Sequence, residues 1–300
     1  MASTNSILAV VSRSATDTML LAKALRLARR FGTGLELFLC DSEHAYVLQH
    51  AYERNSVEGV RAACVADAMQ YLARARESMR CDDVPVAIDA SCETPLYEGV
   101  VRKARRSHPL LVIKHAGGLD RQHRATFDPN DWQLMRACPT TLMLTRGRMW
   151  RPTSRLAAAV DVSEQEMTGL ARQIVENAKA LARAGDAQLE LLYAERNGAG
   201  VPAGQVRTLA LESLARESRI DSGQVHVLAG EPEVALPRFA TERGYDAIVL
   251  GALTHKQGPA PLVGTLTSSL VDALDCDFVL VKPNAANLPD PLGPQMRGAT

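Results

Sequence analysis

The chain has 300 residues, is 46% hydrophobic and carries 34 basic and 34 acidic side chains, enough apolar material for two ordinary domains with cores of their own. Its net charge of zero excludes a global field that would gather nucleic acid or an anionic membrane. No apolar run approaches the roughly 18–20 residues of a membrane span, and MASTNSILAVVSRS lacks a basic leader and a cleavage site, so the expectation is a soluble cytoplasmic protein that is not exported and binds neither nucleic acid nor membrane.

Strand-like runs come first as ILAVVS (7–12), LELFLC (35–40), VPVAIDAS (84–91), LLVIKH (110–115) and TTLMLT (140–145). Between them lie helical patterns at 20–32, 59–79 and 96–107, with apolar residues recurring at i, i+3, i+4 and i+7 in the longer ones, the mark of one buried face. Strands alternating with helices of this length predict βαβ units and a parallel sheet. The helix at 59–79 sets Cys64, Met69, Tyr71 and Leu72 on an apolar face; helical spacing favours core packing there over the lining of a lipid-sized groove.

The second half repeats the scheme with LAAAVDV (156–162), LELLYA (189–194), QVHVLA (224–229), DAIVLG (246–251) and DFVLVK (277–282). LARRFGTGLELFLC at 27–40 aligns with LARAGDAQLELLYA at 181–194, Pro95 with Pro232, and LLVIKHA at 110–116 with AIVLGAL at 247–253. Cys138 and Cys276 each stand just before the last strand of their half. This is a duplication. Domains are expected over 1–149 and 150–283, joined near RGRMWRPTS, with the proline-rich 284–300 as a disordered tail.

Two stretches carry a family resemblance. DPNDWQLMRACPTTLML (128–144) is similar to the Asp-Trp-x-Leu-x-Arg-x-Cys-Pro stretch of the first domain of E-type tandem universal stress proteins. In the second half, Gly251, two residues, Thr254, nine residues, then Gly264-Thr265 reproduce the spacing of that family's nucleotide signature, G-x2-G-x9-G-[S/T]. Its second glycine is Thr254 here. A β-branched residue costs roughly 1–2 kcal/mol in a left-handed backbone, so the loop is expected to be re-routed through Gly258-Pro259-Ala260-Pro261.

The resemblance implies two tandem open parallel sheets of the adenine nucleotide alpha hydrolase-like kind, each of strand order 3-2-1-4-5. It implies ATP or ADP, with Mg2+ as its companion ion, across the ends of strands one and four of the second domain. Asp161 would stand near adenine and ribose, with Gly251 and Thr254 along the loop. Gly264, Thr265 and Leu266 would open the phosphate-facing helix, where free N–H groups favour an anion. His255 and Lys256 add charge on the same loop. The domains would pack as an intramolecular pseudo-dimer able to dimerise again, with nucleotide altering partner contacts.

The first half departs from this pattern, with Ser12 in place of Asp161, Lys114 in place of Gly251, and no Gly-Ser/Thr at the next helix start. Asp128-Pro129 reads instead as an N-cap followed by proline in the first turn, with Trp132 packing inward. Lys114, His115, Arg121, His123 and Arg124 are expected to form a solvated charged loop, the alternative being a basic anion pocket. No ATP is assigned to this half.

Catalytic motifs are missing: there is no P-loop, no G-x-G-x-x-G, no G-x-S-x-G, and no carboxylate pair or Ser/His/Asp set that spacing brings together. No catalytic residue is assigned, His255 being the one histidine near a phosphate. Slow ATP hydrolysis, an anion-handling enzyme or an interaction scaffold without nucleotide stay open beside the regulatory reading. The six cysteines form no C-x-x-C pair and read as reduced, buried small hydrophobes. Spacing gives no support to a zinc site built from one or two of them with a histidine, so no metal site is assigned.

Overall fold

A computed structural model of the chain describes residues 6–49, 54–117, 127–162, 169–195, 201–252, 265–283 and 285–291. They divide into two compact units between Met149 and Trp150. In the first, five strands, β1 (Ser6–Val11), β2 (Gly34–Cys40), β3 (Val86–Ser91), β4 (Leu111–His115) and β5 (Thr141–Thr145), lie in the order β3-β2-β1-β4-β5. All pairings are parallel, with Ile7 opposite Leu35 on one side and Leu111 on the other. Helices α1 (Asp17–Phe31), α2 (Ser42–Gln49), α3 (Arg54–Ser78), α4 (Leu96–Ser107) and α5 (Pro129–Ala137) complete the unit.

The second unit repeats this plan. Strands β6 (Arg155–Ala159), β7 (Gln188–Glu195), β8 (Val225–Ala229), β9 (Ala247–Gly251) and β10 (Asp277–Val281) pair in parallel as β8-β7-β6-β9-β10. Helices α6 (Leu170–Gly185), α7 (Val201–Glu217), α8 (Pro232–Arg243) and α9 (Thr265–Ala273) connect them. The α/β class and the 3-2-1-4-5 order expected from the sequence hold in both units.

Continuous apolar strands are what a parallel sheet covered by helices demands, and every residue of β1 and β2 is buried. β3 and β8, which end each series, are only half-covered. Helix α1 buries Leu20, Leu21, Ala24, Leu25, Leu27, Ala28 and Phe31, then stops at Gly32 (φ 61°). The Thr33 N–H reaches back to the Ala28 carbonyl at 3.0 Å, a left-handed cap that glycine adopts without cost. Helix α6 ends in the same way at Asp186 (φ 52°), with Ala187 N–H on the Ala182 carbonyl at 2.8 Å. Here a side chain sits where the first unit has none.

Three findings were not expected from the sequence. Helices α2 and α7 were not marked as elements; α2 alternates buried Ala45 and Leu48 with exposed Tyr46 and Val47, too short a run to show a period. The joining segment is anchored, not loose: the Trp150 indole donates to Asp277 at 2.7 Å, and Arg151 forks onto Asp246. The Trp150 ring fills the space over Gly185, where a Cβ would stand 2.5 Å from it. Lastly, residues 285–291 are not a disordered tail. Leu288 is buried, its N–H donates to Asn177 Oδ1 at 3.0 Å, Asn177 donates to Asn287 at 3.0 Å, and Arg183 pairs with Asp290. Buried Asn177 in the middle of α6 needs partners that its own helix does not supply, and this strap provides them.

Candidate functional site

In the second unit the chain runs outward from β6 through β7 to β8, then returns to the other side of β6 to form β9 and β10. The order therefore reverses between β6 and β9, and in open α/β sheets ligands collect outside the carboxyl ends of the strands at such a reversal. Leu156, Ala157 and Ala158 pair with Ala247, Ile248 and Val249, so the two strand ends finish side by side. Asp161, two residues past β6, is exposed between buried Val160 and Val162, as alternation along an extended chain requires. Its charge reaches Tyr193 at the end of β7, whose hydroxyl pKa is raised first by burial and further by Asp161 and Glu195, against the pull of Arg207.

Gly251 ends β9. A Cβ built there would meet Leu170 Cδ2 at 3.1 Å and Ile174 Cδ1 at 3.5 Å, so the absent side chain is what lets the first turns of α6 close over the strand end. Thr265 is the first residue of α9, Leu266 is half-buried, and Thr267, Leu270 and Val271 are buried beneath them. Thr254, His255, Lys256 and Gly264 lie outside the described residues. The structure thus brings Asp161 and Gly251 to neighbouring strand ends, with α9 beginning in the next connection. An exposed carboxylate can accept from ribose hydroxyls, and a helix N-terminus offers donors to an anion. These features fit an adenine nucleotide.

The equivalent end of the first unit is closed. Lys114, at the position of Gly251, is neither solvated nor part of a basic pocket. It is buried, with Nζ donating to Asp131 Oδ1 at 2.7 Å and to the His115 carbonyl at 2.9 Å, and Asp128 at 3.7 Å. Asp131 is fully buried. Its Oδ2 accepts the Gly117 N–H at 2.9 Å and the Asp128 N–H at 3.3 Å, while Asp128 caps the Asp131 N–H at 2.9 Å. This reciprocal capping box puts two carboxylates at the N-terminus of α5, where an incoming anion would have to sit. Burial raises the Asp131 pKa while Lys114 pulls it down. His115 is held below the usual imidazole range by burial, then by Lys114 and Arg146. Arg121, His123 and Arg124 lie outside the described residues. The expected cap at Asp128-Pro129 is present, and Trp132 is half-buried with its ring centroid 5.9 Å from that of Phe127.

The loop after β1 is closed in the same way. The buried Asp17 carboxylate takes the Ser12 N–H at 3.2 Å, the Ser12 hydroxyl at 3.0 Å, the Ser14 N–H at 3.1 Å and the Tyr71 hydroxyl at 3.3 Å. Tyr71 is thereby drawn into this network, while Leu72 is buried in the core. Sequence reading missed Asp17 and Asp131 as the groups that shut this end. Asp131 was findable, because Asp128-Pro129-Asn130-Asp131 has capping-box spacing; Asp17 gave no such signal.

Comparison with known proteins agrees with this layout. Residues 153–282 match the family model described as the universal stress protein family. Along its length the chain is similar to universal stress protein E of Salmonella typhi, 23% identical with 96% of this chain and 98% of that protein covered. It also resembles the universal stress protein E homolog of Haemophilus influenzae, 28% identical over 58% of this chain and 62% of that one. Among solved structures it is similar to a putative universal stress protein from Pseudomonas aeruginosa, with a TM-score of 0.73, 22% identity and 93% of each chain covered. One from Archaeoglobus fulgidus has a TM-score of 0.67 at 12% identity, covering 92% of this chain and 98% of that one.

Proposed function

We propose, from the universal stress protein model matched by residues 153–282 and the similarity to universal stress protein E along the chain, that this is a two-domain member of that family, a cytoplasmic stress-response protein that binds ATP or ADP in its second unit only. The observation that carries the reading is the contrast at one position: Gly251 beside an exposed Asp161 in the second unit, against Lys114 locked to a buried Asp131 in the first. Asp161 takes the ribose hydroxyls. Gly251 and Thr254 line the loop, and Gly264, Thr265 and Leu266 present the N-terminus of α9 to the phosphates, with Mg2+ as counter-ion. Occupancy then biases contacts with a partner protein or a second copy, acting by differential affinity for two states.

No described residue requires turnover; binding is the function proposed. Titration calorimetry of the full chain with Mg-ATP is expected to give one site per chain with a dissociation constant on the order of 1 μM, about −8 kcal/mol. Gly264→Val blocks approach to the helix and should remove the heat. Asp161→Ala should weaken it about tenfold by deleting a charge-assisted hydrogen bond. Absence of binding in the unaltered protein leaves the scaffold reading; binding unchanged by Gly264→Val sinks the site assignment.

A further inference from the structure

Away from the sheet reversal, the first unit gathers a second set of chemistry-bearing side chains where β2 and β3 end. Asp41 follows β2 and caps α2, its Oδ1 accepting the His44 N–H at 3.1 Å. The His44 ring curls back, so that Nδ1 lies 3.0 Å from Oδ1 and 2.9 Å from Oδ2. Cys64 comes from α3 across the gap. One ligand atom each from Asp41, His44 and Cys64 all lie within 4.8 Å of one another. Asp41 is fixed by its own N–H on the Ser91 carbonyl at 2.8 Å. Beneath the cluster the floor is apolar, made by Ala45, Leu48 and Cys92 with Val57 and Val65. The buried Cys92 thiol belongs to the floor against which Cys64 packs; burial, then Cys64 and Asp41, raises its pKa to about 11, against the pull of Arg61.

We propose that Asp41, His44 and Cys64 form a binding site for a tetrahedral divalent d-block cation, zinc foremost, with a water in the fourth position. An imidazole nitrogen, a carboxylate oxygen and a thiolate make a borderline-soft donor set, which selects against Mg2+ and Ca2+. Ligands on a tetrahedral zinc ion stand about 3.3–3.8 Å apart, so small side-chain rotations that part His44 from Asp41 and adjust Cys64 fit the cluster to an ion. Three ligands on a half-open rim with an apolar floor leave one coordination position facing solvent. Loading displaces the proton from the Cys64 thiol and moves the imidazole proton to Nε2, which faces solvent. The ion then ties the Asp41–His44 turn at the start of α2 to α3, which no disulfide joins. This site does not depend on the nucleotide reading.

The test uses the full-length, reduced, metal-stripped chain titrated with Co2+ and then with Zn2+. Expected is a thiolate-to-cobalt charge-transfer band with visible d–d bands of tetrahedral intensity, saturating at one Co2+ per chain and bleached by one Zn2+. Cys64→Ser should abolish the charge-transfer band, and His44→Ala should weaken affinity at least about tenfold. Asp41→Asn keeps an N-cap residue, so a tenfold loss there reports ligation and not helix capping. Thermal unfolding of the metal-free variants close to that of the parent shows that lost binding is not lost folding. No charge-transfer band at one equivalent, or a band that survives Cys64→Ser, overturns the proposal.

Discussion

The carboxyl ends of the two sheets share one backbone plan and differ in how their charged groups are held. In the first unit the protein does so itself: Asp17 is wrapped by the loop after β1, and Asp131 sits on Lys114 at the start of α5. In the second unit Gly251 stands where the first has Lys114, and an exposed Asp161 where it has Ser12. A duplicated fold can thus keep its helix N-termini and strand reversal while one copy pairs its charged groups internally and the other carries its carboxylate exposed.

The cores repeat the lesson. Glu36 of β2 and Glu190 of β7 are aligned and buried. Glu36 is answered by Lys103 at 2.6 Å, which also holds Asp89 at 2.7 Å. Under the offset that pairs Pro95 with Pro232, Lys103 becomes Ala240 and Asp89 becomes His226. Glu190 accordingly takes the Tyr245 hydroxyl at 2.6 Å and His226 Nε2 at 2.9 Å, and burial, then Glu190, raises the Tyr245 pKa. A buried carboxylate must be paired; which partner does it has drifted between copies.

The largest expected effect breaks the internal anion. Asp131→Ala removes the nearer carboxylate from buried Lys114 and leaves Asp128 at 3.7 Å as its counter-charge, a loss toward the low end of about 3–5 kcal/mol. Amide hydrogen exchange should show this as reduced protection in β4 with β9 unchanged. Equal loss in both strands would mean that the closed end is not specific to the first unit.

Acid should separate the copies next. His115 has a folded pKa below its unfolded value of about 6.5, so the native state holds fewer protons than the unfolded one below that pH. Its contribution is fully present above about 6.5 and is lost as pH falls from there, by at most about 1.4 kcal/mol per pH unit. The aligned residue in the second unit is Ala252. Urea titrations across this range should show a slope in the first unit that His115→Ala flattens; a slope that persists in the variant removes His115 as its source.

The smallest effect lies at the paired helix ends. Replacing left-handed Asp186 by the glycine its counterpart Gly32 supplies should stabilise the second unit by about 0.5–1 kcal/mol, the relief of the left-handed conformation less the added chain entropy. Thermal unfolding reads the sign directly, and a lower melting temperature would show that the Asp186 side chain contributes more than its backbone costs.

Much of this was legible in the chain. Continuous apolar strands and 3.6-residue periodicity gave the two parallel sheets, the family resemblance implied their order, and Asp128-Pro129 gave the start of α5. Gly251 was located by motif spacing and Asp161 by the family resemblance, and the two are strand-end neighbours in the fold. What was misread has a common cause. Lys114 looked like a solvated charge because its partner stands 17 residues away, and the strap at 285–291 looked disordered because its bonds go to α6, more than 100 residues back.

The sequence by itself determined the elements, their class and the duplication, because periodicity and helix stops are local and each residue carries its share of the signal. Only the tertiary structure decided which buried charge meets which. Pairing is a property of distance in space: Asp17 with Ser12, Ser14 and Tyr71, Lys114 with Asp131, Glu190 with Tyr245, and Asp41 with His44 and Cys64. Those choices, more than the shared fold, make the strand reversal of the first unit self-contained.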